Sequence, residues 1–200
     1  DINSQLDSIM INVKNFISDD NDTQGIKNAI DYMEQNNLGK LFFPKGTYKI
    51  SSNIKLCSGE YIGEHGTILI LDNWNGEECI SNKNHSLSEI NLKDTIIIKN
   101  ITFKLGTNKS GYGVRFINTE NTVIENCSFI TNENNTLDYS ALDFYSNNKN
   151  VTINNCIFNM YGQTNTLITP ILIREFVSTK LTENVNITNC HFEVSGGDET

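Results

Sequence analysis

The stretch VTINNCIF, residues 151–158, decides the fold, because the chain repeats it. TVIENCSF (122–129) and VNITNCHF (185–192) follow the same formula, and IIIKNITF (96–103) is an earlier version without the cysteine. Each alternates apolar and variable positions up to an asparagine, continues with Cys or Ile, and ends on Phe. The aligned asparagines Asn100, Asn126, Asn155 and Asn189 are 26, 29 and 34 residues apart, a solenoid-like period with loops of unequal length. Alternation interrupted at one asparagine reads as strand, bend, strand. A third strand stands outside each string, at GVRFI (113–117), ALDFY (141–145) and PILIRE (170–175). Three short strands per turn predict an all-β chain, a right-handed single-stranded parallel β-helix.

That architecture explains the repetition. Stacked strands lie about 4.8 Å apart, so equivalent side chains of successive turns superpose. An asparagine at a bend tolerates left-handed backbone angles and can pass its amide hydrogen bonds up and down the stack. The residue after it points inward, and so does the Phe two further on. Ile101, Cys127, Cys156 and Cys190 are thus expected to form one internal column, and Phe103, Phe129, Phe158 and Phe192 another. Five cysteines without CxxC spacing fit neither a disulfide framework nor a zinc site. They read as free structural thiols, and no metal ligand set is expected.

At 200 residues and 38% hydrophobic, the chain is long enough to bury a core. A formal charge of -9 speaks against nucleic acid or an anionic membrane as partner, since both attract a basic surface. No apolar run reaches the length of a transmembrane helix, and no signal peptide is visible.

The amino-terminal quarter differs in kind. INVKNF (11–16) reads as a strand and SDDND (18–22) as a polar turn. TQGIKNAIDYMEQNN (23–37) reads as a helix capped by Asp22, with Ile26, Ala29, Ile30 and Met33 on one face. GKLFFPKGTYKI (39–50) then gives two strands around a Pro-Lys-Gly turn. Residues 1–50 are expected to form a strand-helix-strand cap, and residues 51–200 the turns it closes.

These residues resemble the start of the pectate-lyase-like right-handed parallel β-helix superfamily, of the bacteriophage tailspike and depolymerase type. Phe42, Phe43, Pro44, Gly46, Thr47 and Tyr48 match its FPxGTY signature. Asp22, Thr23, Ile26, Ala29 and Ile30 match its DDTxxIxxAI helix, and EYIGEHGTILIL (60–71) its first full turn. The motifs cover residues 11–72. The resemblance implies a protein of the virion tail or the cell exterior that binds and depolymerises a bacterial surface or capsular polysaccharide, as hydrolase or lyase. It implies a homotrimer along the solenoid in contact with other tail proteins, with no cofactor unless a lyase takes calcium. It also implies a longer chain, of which residue 200 is not the end. The alternatives are a non-catalytic receptor-binding or structural tail segment and a secreted pectate-lyase-like bacterial enzyme.

Alternation assigns the candidate site to the face of the third strands. Val114, Phe116, Leu142, Phe144, Ile171 and Ile173 are expected to point inward. Arg115, Ile117, Asp143, Tyr145, Leu172 and Arg174 are then expected outward, with Glu175 opening the next turn. The flanking loops 130–140 and 159–169 carry Asp138, Tyr139, Tyr161 and Gln163. Arg115 and Arg174 are the only arginines, and a planar guanidinium suits a sugar carboxylate. The glycan-binding candidates are Arg115, Tyr145, Arg174 and Tyr139. Asp143, with Asp138 or Glu175, is the candidate acid-base pair. The plainer reading is that the arginines pair with Asp143 and Glu175. Trp74 reads as a loop anchor or a sugar platform, and His191 as a lone exposed imidazole.

Overall fold

The computed structural model describes residues 9–18, 20–72, 78–83, 94–105, 111–132, 134–163, 166–175 and 181–195. Trp74 lies outside them. Eighteen strands are described, in three sheets, and every recorded pairing is parallel.

The first sheet runs β1 (Met10–Asn12), β2 (Lys40–Phe43), β5 (Gly59–Gly63), β8 (Asp94–Lys99), β11 (Thr119–Glu125), β14 (Val151–Asn154) and β17 (Val185–Thr188). The second runs β3 (Gly46–Ile50), β6 (Thr67–Leu71), β9 (Thr102–Leu105), β12 (Ser128–Ile130), β15 (Ile157–Tyr161) and β18 (His191–Ser195). The third runs β4 (Ile54–Leu56), β7 (Glu78–Asn82), β10 (Gly111–Phe116), β13 (Tyr139–Tyr145) and β16 (Ile168–Arg174). From β2 onward, successive strands enter the three sheets in strict rotation. The chain therefore makes repeated circuits, each laid on the one before.

The asparagine column is present. Asn100, Asn126, Asn155 and Asn189 all have φ between 52° and 59°. Asn126 Nδ2 donates to Asn100 Oδ1 at 3.2 Å and Asn155 Nδ2 to Asn126 Oδ1 at 2.7 Å. The last rung departs, with Asn189 Nδ2 donating to Asn154 Oδ1 at 3.0 Å. Inside the bend, Phe103, Phe129, Phe158 and Phe192 stack at 4.9, 5.0 and 4.9 Å with rings within 8° of parallel. Offset stacking adds to what the buried ring area contributes. Cys127 and Cys156 are buried, Cys190 is half-buried, and all five thiols are free. Burial holds the Cys127 thiol well above its ordinary range.

A second asparagine ladder, which alternation did not indicate, locks the corner between the third and first sheets. Asn147 Nδ2 donates to Asn118 Oδ1 at 2.7 Å, Asn150 to Asn121 at 3.2 Å and Asn184 to Asn150 at 3.1 Å. At the same corner, the fully buried Asn82 clamps Ile117 by accepting from its N–H and donating to its C=O. Ile117, expected outward, is for that reason enclosed at 2% exposure.

The helix α1 (Asp22–Gln35) buries Ile26, Ala29, Ile30 and Met33 against the first circuit. Its cap is Asn21 rather than Asp22: Asn21 Oδ1 accepts from Gln24 N at 3.1 Å. Asp22 is turned instead to the β3 backbone, accepting from Lys49 N at 2.7 Å. The expected strand over 11–16 is short, because after Asn12 the chain tightens into a 3-10 turn, Val13–Phe16. At the far end, Ile173, Ile187, Phe192 and Val194 are each more than 40% exposed. Ile173 has the inward parity of Phe144 but lies on the last strand in the order of its sheet, so no further strand among the described residues covers it.

Candidate functional site

Parallel register builds a row across the third sheet. Lys55, Ser81, Arg115, Asp143 and Leu172 are successive partners on β4, β7, β10, β13 and β16. Two residues further along the strands, and so on the same face, Tyr145 is paired with Arg174. Because each residue is flanked along its own strand by core positions such as Val114, Phe116, Leu142 and Phe144, the row must face away from the core.

Facing outward does not leave these residues free. Arg115 Nε donates to Asp143 Oδ2 at 2.7 Å and its Nη1 to Glu78 Oε2 at 3.1 Å. Arg174 donates from Nε to Asp143 Oδ1 at 3.1 Å and from Nη2 to Oδ2 at 2.9 Å. Two tyrosine rings complete the cluster. The Arg115 guanidinium carbon stands 3.8 Å from the Tyr112 centroid and 5.4 Å from that of Tyr145, and Arg174 lies 4.7 and 4.5 Å from the same two. Cation–π contact and charge-assisted hydrogen bonds thus hold both arginines from several sides. The bonds to Asp143 raise the Arg174 pKa above its ordinary value, against the opposing effect of burial.

Burial grades the cluster. The Asp143 side chain is 0% exposed and that of Arg115 4%, whereas that of Arg174 is 34% exposed. Arg115 was expected to be open to a ligand; Tyr112, Asp143 and Glu78 close over it. Arg174, Tyr145, Tyr112 and Glu78 are the members that reach solvent.

The remaining candidates are scattered. Tyr139, expected on a loop, begins β13 two residues earlier than ALDFY indicated, and its ring is enclosed at 2% exposure. Asp138 is exposed, and its Oδ1 accepts from Leu167 N at 2.7 Å, tying two loops together. Asp138 stands just ahead of β13, five residues before Asp143 on that strand. Glu175 is exposed, and the acidic partner that Arg115 takes besides Asp143 is Glu78. His191 is exposed.

Glu78 and Tyr112 are site members that sequence reasoning missed. They are paired with each other across β7 and β10, but both lie ahead of the alternating cores of their strands. β7 carries no copy of the repeat that would have drawn attention to it. Among the described residues, no three His, Cys, Asp or Glu side chains gather as metal ligands.

Neither a family model nor a curated protein matches the chain. Among solved structures, it is similar to the crystal structure of "a putative glycosyl hydrolase" from Parabacteroides merdae. Identity is 17%, the TM-score is 0.35, and the match covers 92% of this chain and 96% of that one.

Proposed function

We propose that the chain is a stretch of a right-handed parallel β-helix whose third sheet binds a polysaccharide through Arg174, Tyr145 and Tyr112. The observation that carries this reading is the half-open arginine–tyrosine cluster: a cation with donors beside two aromatic rings, held rigid from beneath by a buried carboxylate. Sugars are bound by such mixtures of stacking faces and fixed donors, and a pre-ordered platform loses little entropy on binding. The resemblance of residues 11–72 to tailspike proteins supports a bacterial surface or capsular polysaccharide as ligand. It equally supports a trimeric protein of the virion tail or the cell exterior.

Cleavage is not assigned to Asp143. Both of its oxygens accept from guanidinium groups and none of its side chain meets solvent, so it serves as the positioning residue for the two arginines. The reading is tested by titrating bacterial capsular polysaccharides against wild type, Arg174→Ala and Tyr145→Ala, with circular dichroism confirming the fold. Each substitution is expected to weaken binding at least tenfold. Wild-type affinity in both variants overturns the assignment.

A further inference from the structure

At the amino-terminal end of the same face lies a cavity of about 320 Å³ lined by Lys27, Ile30, Asp31, Asn53, Lys55 and Lys83. Three elements deliver its lysines. Lys27 comes from α1, Lys55 from β4, and Lys83 follows β7, its backbone N–H donating to Leu56 O at 2.7 Å. Lys27 Nζ is steered by a 2.8 Å bond to Ser52 Oγ. Lys83 is shared between Glu34 and Asp31, so one lysine is largely neutralised by its neighbours. Lys55 is exposed and stands in the same row as Arg115, with only the small, buried Ser81 between them.

The charge distribution makes this placement informative. The chain carries 24 acidic and 15 basic residues. Among the described residues, the cavity gathers three of the basic ones, Lys27, Lys55 and Lys83, against Asp31 and the Glu34 that pairs with Lys83. It is therefore net positive by one charge on a molecule that is otherwise strongly negative. A concave site with an excess of ammonium groups concentrates field lines and favours anions. Lys55 and Arg174 are separated by four strand spacings, about 19 Å at roughly 4.8 Å each. An extended oligosaccharide lying across the strands spans that distance.

Building on the polysaccharide reading above, we infer that the Lys27–Lys55–Lys83 cavity is a second subsite that takes an acidic group of the glycan, a uronate carboxylate, sulfate or phosphate. The glycan then crosses Ser81 to the arginine–tyrosine platform. The natural ligand is by this inference an acidic polysaccharide, selected at a site away from the arginines.

The test uses calorimetric titration of a uronic-acid hexasaccharide and its carboxyl-reduced, neutral counterpart. The proteins are wild type, Lys27→Gln/Lys55→Gln, Arg174→Gln, and a control, Lys40→Gln/Lys104→Gln, that removes equal charge from the other two sheets. The cavity variant is expected to lose at least tenfold in affinity for the acidic oligomer, to keep its affinity for the neutral one, and to show a shallower salt dependence. The control is expected to lose less than threefold, and Arg174→Gln to weaken both oligomers. Undiminished acidic binding in the cavity variant, or equal loss in the control, overturns the second subsite and leaves the platform standing. If wild type binds neither oligomer, the polysaccharide reading itself falls and the subsite with it.

Discussion

Replacing Asn126 separates the two physical jobs assigned to the asparagine column. Asn126 sits at φ 53°, donates to Asn100 and accepts from Asn155. In Asn126→Gly the left-handed backbone is unstrained, so the loss is that of the two side-chain hydrogen bonds. Each contributes about 0.5–1.5 kcal/mol, and at this exposed position both belong in the lower half of that range. Glycine also adds about 0.5–1 kcal/mol of unfolded-chain entropy, giving a total near 2 kcal/mol. Asn126→Ala loses the same bonds and in addition forces a β-carbon into the left-handed region, about 1–2 kcal/mol more. The total is near 3 kcal/mol. Equilibrium urea unfolding of the three proteins reads both values from midpoints, given that the slopes are equal. The expected order is wild type, Gly, Ala. An alanine variant as stable as the glycine variant refutes the claim that backbone handedness selects asparagine here. Losses below 0.5 kcal/mol in both refute the ladder.

Asp143→Ala leaves the buried Arg115 short of a counter-charge and is expected to cost about 3–5 kcal/mol by urea unfolding, whereas Arg174→Ala, more exposed, costs under about 1 kcal/mol. Phe158→Ala, stacked on both faces and fully buried, is expected to cost about 3–5 kcal/mol, and the half-exposed Phe192 distinctly less. Cys156→Ser is expected to cost about 1–3 kcal/mol, and timed alkylation of the native protein to modify Cys190 before Cys127 and Cys156. Tyr48, whose hydroxyl donates to Pro44 O, has its pKa pushed up to about 12 by burial, then by Asp22 and Glu64. Its unfolded form releases the proton first, so its contribution is complete below about pH 10 and is lost as pH rises towards 12. Ultraviolet titration of the phenol alongside unfolding measurements checks that window.

The columns were legible because stacking turns a sequence period directly into contacts. Once Asn126 and Asn155 are aligned, the ladder, the phenylalanine stack and the thiol column follow without further information. The arginine cluster was half legible. Alternation found that Arg115, Asp143, Tyr145 and Arg174 share a face, and it could not reveal that Tyr112 and Glu78 fold over Arg115. Parity along a strand says which way a side chain leaves the sheet; coverage depends on what neighbouring strands contribute. Both other misses lie at strand ends: Tyr139, read as loop, begins β13, and Ile117, read as outward, follows β10 where Asn82 clamps its backbone. The Asn21 cap escaped because four acidic or amide residues in a row, Asp19 to Asp22, offer the helix several starts. The choice fell to the one that left Asp22 free for Lys49.

The constant spacing at one corner has a consequence for how the molecule tolerates change. In the last four circuits five positions separate Ile98 from Phe103, Ile124 from Phe129, Ile153 from Phe158 and Ile187 from Phe192, and there all the variation in circuit length falls at the other two corners; the first two circuits turn this corner more widely, with Leu41 and Tyr48 seven residues apart and Tyr61 and Leu69 eight. Both of those corners border the third sheet. The asparagine column therefore acts as the bound spine of a ledger of pages cut to different widths, with every uneven edge delivered beside the arginine–tyrosine face. Lengthening a loop there costs only about 0.6 kcal/mol per doubling and leaves the columns in register. A library of inserted loops at these two corners would remodel the surroundings of one face while the stacked core stayed the same, which makes this chain a ready frame for recutting ligand preference.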